Sequence, residues 1–384
     1  MRVTYFDNNA TTAVSPEVLA AMLPYFGDMY GNPSSMYTFG GQVAGAVENA
    51  REQVANLLGA DPSEILFTSS GSESDNTAFW SALQSQPDKK HIVTTRVEHP
   101  AVLNVCKYWE RQGYRVTYLG VDNLGKLDPE EFKNALEDTT ALASVMFANN
   151  EVGNIYPIQQ LAEIAKERGV LFHTDAVQAV GKTPIDLTHL SVDMLSLSGH
   201  KIHAPKGIGA LYIRKGTKFR SFIRGGHQEK GRRAGTENVP YIVGLGMAAK
   251  LSGDFMQHER VDVALLRDEL EKGLLNKIPD SRVNGDIDNR LPNTSNISFK
   301  NVEGEAILLM LDRLGIAASS GSACTSGSLE PSHVLRAMGV PFNYAHGSIR
   351  LSLSRYTTRE EINYVIKNFP SVIETLRKIS PFKN

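Results

Sequence analysis

The sequence predicts an α/β protein, in which a large domain with an open, mainly parallel sheet is followed by a smaller α+β domain. Two observations lead to this prediction. The chain has 384 residues, which is too long for one small core. Short apolar runs rich in β-forming residues also alternate with helical patterns up to about residue 240, where the alternation ends. Such alternation is typical of a sheet with helices on both faces.

Six runs in the first part of the chain have the composition of strands. Several are apolar on both faces, as expected for buried parallel strands. They lie at 65–68, 91–95, 116–119, 142–147, 170–174 and 194–198. Helical patterns separate them near 72–85, 100–112, 129–137 and 157–168. In a sheet of this kind, ligands bind at the carboxyl ends of the strands.

The pattern changes in the last third of the chain. A long helical stretch at 255–276 precedes two strands, at 294–299 and 348–352, and helices near 303–313 and 331–338. The last helix starts at Thr358, which with Glu361 has the spacing of a capping box. We therefore expect a large domain of residues 15–255, and a small domain formed by residues 1–14 and 256–384. The first segment is expected to be extended and to pack across both.

Charge and composition exclude several classes of protein. Lys plus Arg number 40 and Asp plus Glu 42, so the chain has no basic footprint for nucleic acid or an anionic membrane. No apolar run approaches the roughly 20 residues that span a bilayer. The start lacks the apolar core of a signal peptide. Two cysteines exclude a disulfide framework and a Cys-rich zinc site. We expect a cytoplasmic protein without a bound metal.

A lysine directly follows the strand predicted at 194–198, in the sequence Ser198-Gly-His-Lys201. At the carboxyl end of a central strand its amine can be desolvated and can form a Schiff base with an aldehyde. Most lysines are instead exposed loop residues, so the neighbours decide. Asp175 ends an otherwise apolar run, and a buried carboxylate needs a cation such as a pyridinium nitrogen. A helix N-cap is the alternative role for Asp175.

Loops after other strands would face the same cleft. Segment 68–76 joins a strand to a helix and is rich in Gly and Ser, which suits an anion such as a cofactor phosphate. Gly71 and Ser72 are best placed to hold it, although turn chemistry alone also explains the composition. His99 starts a helix and can stack on an aromatic cofactor, move a proton or serve a structural role. Asn150 follows a further strand.

Together these motifs closely resemble those of the NifS/IscS-type cysteine desulfurases, group I of the class V aminotransferase family. The resemblance covers nearly the whole chain. It implies a pyridoxal-phosphate-dependent transferase fold of the aspartate-aminotransferase type I, with a mainly parallel seven-stranded sheet in the large domain. The motifs include Phe6-Asp-Asn-Asn-Ala-Thr-Thr12, Val97-Glu-His-Pro100, His173-Thr-Asp-Ala-Val-Gln178, Arg233-Ala-Gly-Thr236, Ser319-Ser-Gly-Ser-Ala-Cys-Thr-Ser326 and Ile349-Arg-Leu-Ser-Leu-Ser-Arg355.

The resemblance also implies a role for each matching residue around pyridoxal 5'-phosphate. Lys201 matches the Schiff-base lysine, and Asp175 the partner of the pyridine nitrogen. Gln178 matches the donor to the phenolic oxygen. His99 matches the histidine that stacks on the ring and helps to move protons. Asn150 counts both as a cofactor-binding and as a substrate-binding residue.

Further matches concern the phosphate and the substrate. Gly71, Ser72, Ser198 and His200 match the phosphate cup, which Thr236 of a neighbouring subunit completes. The resemblance therefore implies a homodimer with shared active sites. The substrate's carboxylate would be held by Asn150 and Arg350, with Asn9 lining that end. A bidentate pair with a carboxylate is a role well suited to arginine.

The two cysteines have different settings. Cys324 matches the catalytic cysteine and lies in a run of small and turn-forming residues, which predicts an exposed loop. Cys106 lies among apolar residues of a predicted helix, as a buried structural cysteine does, and we assign it no function. The resemblance implies that L-cysteine is converted to L-alanine, leaving a persulfide on Cys324 that passes to an acceptor for iron–sulfur cluster assembly.

Rival functions need different residues. An aminotransferase or a selenocysteine lyase on the same scaffold would need Lys201 but not Cys324. A catalytically silent binding protein of sulfur trafficking would need neither. Within the family, segments 232–238 and 315–334 resemble the nitrogen-fixation branch, NifS, more than the housekeeping branch, IscS. The nitrogen-fixation branch implies nitrogenase maturation, with a NifU-like scaffold protein as sulfur acceptor.

Overall fold

The computed structural model describes residues 3–320 and 330–380. The strands are β1 (Thr4–Tyr5), β2 (Ile65–Thr68), β3 (His91–Thr95), β4 (Arg115–Leu119), β5 (Thr140–Ser144), β6 (Leu171–Asp175), β7 (Met194–Ser198), β8 (Gly209–Ile213), β9 (Ser281–Val283), β10 (Thr294–Phe299), β11 (Ile316–Ala317), β12 (Ser319–Ser320) and β13 (Ser348–Ser352).

The α-helices are α1 (Pro16–Met22), α2 (Pro24–Gly27), α3 (Thr38–Leu58), α4 (Gly71–Ser85), α5 (Pro100–Arg111), α6 (Pro129–Ala135), α7 (Ile158–Glu167), α8 (Val239–Asp254), α9 (Met256–His258), α10 (Ala264–Lys277), α11 (Gly304–Arg313), α12 (His333–Ala337), α13 (Phe342–Ala345) and α14 (Arg359–Ile379). A π-helix, Glu259–Val263, links α9 to α10. No helix in the described ranges is both long and apolar enough to cross a membrane.

The large sheet has seven strands in the order β2-β8-β7-β6-β5-β3-β4. Strand β8 is antiparallel to both of its neighbours, and the other pairs are parallel. Successive side chains point to opposite faces, so Phe67 packs in one hydrophobic cluster with residues of α1, α3, α6, α7 and α8. Leu66 packs in a second cluster with residues of α4 and α5. The predicted α/β class and mainly parallel seven-stranded sheet are confirmed.

A smaller antiparallel sheet, in the order β12-β13-β10-β9, packs against other helices. Its cluster includes residues of α10, α11 and α14. Residues 334–345, by contrast, contribute to the cluster of the large sheet. We propose that the two clusters of the large sheet form the core of the predicted large domain, residues 15–255, with residues 334–345 added to it. We propose that the cluster of the small sheet forms the core of the predicted small domain, residues 1–14 with 256–384.

The first segment bridges the two sheets. Strand β1 pairs in parallel with β11, and the Asn8 N–H donates to the Ser352 carbonyl. A few residues on, the Thr12 N–H donates to the carbonyl of His200, next to β7. Residues 3–14 therefore contact both sheets, and a turn at residues 8–10 interrupts their otherwise extended course.

Several elements differ from the sequence prediction. The strand expected at 142–147 is Thr140–Ser144, two residues earlier at its start, and the helix expected at 255–276 contains the π-helix. Helices α3 and α8 and strand β8 were not predicted. Helix α8 is apolar on most sides, so it lacks the 3.6-residue periodicity that marks a surface helix. Glycines lie just before β8 and within α3. Because glycine is disfavoured inside strands and helices, these two elements also lack a clear sequence signal.

Candidate active site

A cavity of about 370 Å³ lies at the carboxyl ends of the strands of the large sheet. Its wall contains most of the residues that the sequence singles out. They are Asn9, Gly71, Ser72, His99, Asn150, Asp175, Gln178, Ser198, His200, Lys201 and Arg350. We call Gly71, Ser72, Asp175, Ser198 and Lys201 the sheet side of this cavity, and Asn9, Asn150 and Arg350 the Arg350 side.

Lys201 ends a 3-10 turn, Gly199–Lys201, that follows β7 directly. Its Nζ donates to the carbonyl oxygens of Asn9, at 2.5 Å, and Ala10, at 2.8 Å. Burial, and then the positive charges of Lys182 and Arg350, lower the pKa of Lys201 to about 7. A substantial fraction of this amine is therefore uncharged, and nucleophilic, near neutral pH.

Asp175 is the last residue of β6, and its Oδ1 accepts the Val177 N–H at 2.9 Å. A turn follows it rather than an α-helix, so the N-cap alternative does not apply. Burial raises the pKa of Asp175, whereas the charges of His99 and Lys201 oppose that shift. A buried acid of this kind can bind a ligand cation or hydrogen-bond donor.

Two more buried acids lie behind the sheet side. Asp75, on α4, lines the cavity, and burial followed by the charge of Asp175 raises its pKa well above the ordinary value. Burial raises the pKa of Glu98 to about 8, although the Met146 N–H and the Thr95 hydroxyl bind its Oε1. We assigned neither acid a role from the sequence. Asp75 lies in segment 68–76 and Glu98 in the motif Val97-Glu-His-Pro100, so their closeness to other candidate residues in the chain was the signal that could have found them.

The N-terminus of α4 opens into the cavity. The Ser70 hydroxyl caps the Glu73 N–H, and the first N–H groups of a helix, here those of Gly71 and Ser72, have no intrahelical partner. A Cβ on Gly71 would lie 2.7 Å from Val177 Cγ2. Only glycine fits between α4 and the turn after β6, so the backbone can approach an anion closely.

His99 has a structural role and also lines the cavity. It is the N-cap of α5, because its Nδ1 accepts the Ala101 N–H at 3.1 Å. Nδ1 is therefore unprotonated, and the remaining nitrogen, Nε2, is available to the cavity. Burial lowers the pKa of His99, against the opposing charge of Asp175.

The Arg350 side joins distant parts of the chain. The Arg350 guanidinium donates to the Asn150 carbonyl at 2.9 Å and to Asp7 Oδ1 at 2.7 Å. Its buried Nε has no hydrogen-bond partner in the described part of the chain. Asp7 was not predicted as a functional residue, although it stands in the quoted N-terminal motif.

Asn9 contacts the Lys201 amine through its backbone carbonyl rather than through its side chain. The side-chain nitrogen of Asn9, Nδ2, donates to Thr294 Oγ1 at 2.8 Å, and its side-chain oxygen, Oδ1, accepts from Asn293 Nδ2 at 2.9 Å. Its carbonyl oxygen accepts from Lys201 and also from Gln178 Nε2, at 3.0 Å. The Asn9 side chain therefore ties the segments together, while its backbone faces the amine.

Thr236 lies outside the cavity wall, whereas His200 lines the wall and has a hydrogen-bond partner in the protein. Thr236 is exposed in a neighbouring recess with Ser69 and Arg233, outside the cavity. His200 Nδ1 lies 3.1 Å from Thr11 Oγ1. Cys106 is buried on α5, where burial raises the pKa of its thiol. Cys324 lies outside the described residues.

Comparison with known proteins identifies the family. A protein-family sequence model described as aminotransferase class-V matches residues 4–365. The chain belongs to this family. A cysteine desulfurase of Trichormus azollae is 62% identical over 384 residues, covering 100% of this chain and 96% of the relative. The cysteine desulfurase NifS of Azotobacter vinelandii is 58% identical over 383 residues, covering 100% and 95%. A solved NifS-like protein has a TM-score of 0.92 at 41% identity, covering 98% of this chain and 100% of that one.

These relatives place the chain among the cysteine desulfurases, a group that depends on pyridoxal 5'-phosphate, so the predicted family, fold and enzyme class are confirmed. The cavity fits that cofactor in three respects. Gly71 leaves space for a phosphate at the start of α4. Asp175 is a buried acid suited to a pyridine nitrogen, and Lys201 supplies an amine for the aldehyde.

Proposed function

We propose that the chain transfers the sulfur of L-cysteine to the thiol of Cys324, releases L-alanine, and passes the persulfide to the thiol of an acceptor protein. The observation that carries the proposal is the single cavity in which Lys201, Asp175, His99 and Arg350 meet. The reaction needs no external oxidant. The C–S bond of the substrate breaks and an S–S bond forms, while the carbon that loses sulfur is reduced and gains a proton.

Pyridoxal 5'-phosphate, when bound, supplies the electron sink that makes the Cα proton of the substrate acidic. Lys201 Nζ is the amine that we assign to the cofactor's aldehyde and then to the Cα proton. Two features support this role. Its pKa is lowered to about 7, and the carbonyls of Asn9 and Ala10 hold the amine in one place.

Three side chains would hold the ring. Asp175 would bind the pyridine nitrogen, and its burial makes that hydrogen bond strong because few waters compete. Gln178 would donate from Nε2 to the phenolic oxygen. His99 would stack on the ring and exchange protons through Nε2, because the Ala101 N–H occupies its Nδ1.

The phosphate would lie at the start of α4. Gly71, Ser72, Ser198 and His200 line that end of the cavity. The pKa of His200 is lowered to about 4 by burial and then by the charges of Lys201 and Lys206. A neutral imidazole still has a donor nitrogen, so His200 would contribute a hydrogen bond rather than a full charge.

The carboxylate of the substrate would bind on the Arg350 side. Asp7 and the Asn150 carbonyl hold the guanidinium by two of its nitrogens. Nε is a buried donor without a partner among the residues described, and a carboxylate satisfies such a donor. Asn150 also lines this end of the cavity.

We further propose a homodimer in which Thr236 of each chain completes the phosphate cup of the other. Its exposure outside the cavity of its own chain supports this arrangement. Large apolar side chains are also exposed around α1 and α2, and a second copy of the chain would cover them. They are Leu19, Leu23, Phe26, Tyr30, Met36 and Tyr37.

Mixed dimers test the shared site. Lys201→Ala and Thr236→Val chains are each expected to have little activity as homodimers. In a heterodimer, one site carries both changes and the other carries neither, so mixing should restore up to about a quarter of the parent activity. Sedimentation of the parent should give the mass of two chains. A monomer, or no recovery in heterodimers whose formation is verified, would contradict the shared site.

For the acceptor, we propose a NifU-like scaffold protein and a role in nitrogenase maturation, in the cytoplasm. The likeness to NifS of Azotobacter vinelandii supports the branch. A catalytic thiol also needs a reducing compartment to stay free of disulfides. Labelled sulfur should pass faster to a NifU-type scaffold than to a housekeeping scaffold at equal concentration, and the reverse preference would assign the chain to housekeeping.

The experiment that tests the function is a pair of cysteine variants. Cys324→Ala should bind the cofactor and L-cysteine but release almost no alanine, because no nucleophile accepts the sulfur. Cys106→Ala is the matched control, since Cys106 is buried, and should retain parent turnover. Mass spectrometry after incubation with cysteine should find an added sulfur on the Cys324 peptide only. Full activity without Cys324 would refute the proposal.

A further inference from the structure

Lys182 is buried, yet it carries an ammonium group that none of the proposed steps uses. Only 6% of the residue is exposed. Its Nζ donates to Gln178 Oε1 at 3.1 Å and to the Gln178 carbonyl at 3.2 Å. Both partners belong to the turn that follows Asp175, so Lys182 binds this part of the cavity wall from behind.

The ammonium group decides how the Gln178 amide is oriented. An ammonium has three donors and no acceptor, so it can meet only the oxygen of the amide. A flipped amide would place an NH₂ group against the NH₃⁺ group. In the observed orientation, Nε2 points away from Lys182 and donates to the Asn9 carbonyl, which also accepts from Lys201. The donor edge of Gln178 is thus kept beside the reacting amine.

Charges from several elements surround the Lys182 ammonium. Glu259 of the π-helix is the acidic one, and its Oε1 lies 3.3 Å from Arg355 Nε. Burial lowers the pKa of Lys182 to about 8, with Glu259 opposing the shift. Lys182 therefore remains mostly protonated at neutral pH. The other charged or titratable groups that interact with it are Arg350, Arg355, Lys201, His200 and His203.

We propose that Lys182 is a positioning residue, whose ammonium fixes the Gln178 amide with its N–H edge toward the cofactor. This inference rests on the proposed function, since Gln178 Nε2 is there the donor to the cofactor's phenolic oxygen. Lys182 touches neither cofactor nor substrate and acts through Gln178. Glu259 provides the negative charge that offsets the burial of the ammonium.

A double-mutant cycle in the holoenzyme tests the inference. Lys182→Met keeps the length of the side chain but removes the donors, and it should lower kcat/KM about tenfold, as expected for a lost hydrogen bond to a charged group. It should also displace the visible absorbance maximum of the bound cofactor in the same direction as Gln178→Leu does. Combined with Gln178→Leu, it should add no further change to either quantity.

Lys182→Arg keeps the charge and the donors, and should restore both quantities to within about twofold of the parent. Measuring kcat/KM on the plateau of each pH profile removes the contribution of a shifted Lys201 pKa. If Lys182→Met does not fold, Lys182→Gln enters the same cycle. Additive effects, or a parent-like spectrum in the neutral variant, would overturn the inference. An inactive parent would instead refute the proposed function.

Discussion

The two sides of the cavity are built in different ways. The sheet side consists of residues at or just after the carboxyl ends of strands of one sheet, such as Asp175 at the end of β6 and Lys201 just after β7. The Arg350 side consists of segments that are far apart in the chain, and the hydrogen bonds of Arg350 to Asp7 and Asn150 join them. The geometry of the sheet side therefore depends on one core. That of the Arg350 side depends on how the N-terminal segment and the small sheet pack on that core.

This difference predicts separable failures, with loss of cofactor function on the sheet side and loss of substrate affinity on the Arg350 side. The largest effect is expected for Lys201→Ala, which should lower turnover at least a thousand-fold, because it removes the covalent partner and the proton acceptor together. Alanine release from L-cysteine measures it. Lys206→Ala is the control, since Lys206 is exposed on the same loop. Comparable losses in both variants would refute the assignment.

On the Arg350 side, Arg350→Lys should raise KM for L-cysteine about 10- to 100-fold while the cofactor stays bound. A lysine ammonium is a compact point charge, so it cannot reach Asp7, the Asn150 carbonyl and a carboxylate in the spread, planar arrangement that the guanidinium offers. Steady-state kinetics and the visible absorbance of the cofactor measure the two effects separately. Arg359→Lys, at an exposed ion pair on α14, serves as control. Loss of the cofactor in Arg350→Lys would show that the two sides are not separable.

Gly71→Ala tests the sheet side without touching a charged group. The added Cβ would lie 2.7 Å from Val177 Cγ2, so the start of α4 must shift and the phosphate should lose contacts. We expect the cofactor to bind about tenfold more weakly, equivalent to one lost charge-assisted hydrogen bond. KM for cysteine at saturating cofactor should be unchanged. In Gly45→Ala, on α3, the added Cβ meets nothing within 4 Å, and cofactor binding should match the parent. Unchanged cofactor affinity in Gly71→Ala would contradict the proposal that the phosphate binds at the start of α4.

The last prediction concerns stability rather than cofactor or substrate binding, and involves Glu98, behind the sheet side. Its pKa is about 8 in the folded chain, and its ordinary value is 4.5. Between these values the unfolded chain loses the proton that the folded chain keeps, so the parent loses stability as pH rises from 4.5 to 8. Glu98→Gln cannot ionise. Between pH 4.5 and pH 8 its free energy of unfolding should therefore rise by about 1–3 kcal/mol relative to that of the parent.

Thermal or urea unfolding at pH 5 and pH 8 measures this difference. Glu52→Gln, an exposed change on α3, should show no pH-dependent gain. A Glu98→Gln variant that tracks the parent at both pH values would mean that Glu98 is ionised in the folded chain.

The sheet side was predictable from the sequence because its residues stand next to recognisable strands. The sheet-side residues Lys201, Asp175 and Gly71, like His99, each lie at the end of a strand or within four residues after it, at the sheet edge where ligands bind. Arg350 could be predicted only from the resemblance, since nothing near it in the chain indicates that β13 faces the large sheet. Asp7 was missed for the same reason, because its partner Arg350 is 343 residues away in the chain. Lys182 lies only four residues after Gln178, but no sequence pattern shows that this local pair is buried.

The bridging path of the N-terminal segment has a consequence for the order of synthesis. The Asn8 and Asn9 N–H groups bind Ser352, at its carbonyl and hydroxyl oxygens respectively. The Asn9 carbonyl that holds Lys201 is therefore synthesised long before β13, and its neighbouring N–H groups gain their partners on Ser352 only after β13 has been made. The large sheet can form while translation continues. The segment that holds the Lys201 amine acquires its full set of neighbours only once β13 has been released, so a nascent or truncated chain that ends before β13 should be unable to hold the cofactor in a reactive position.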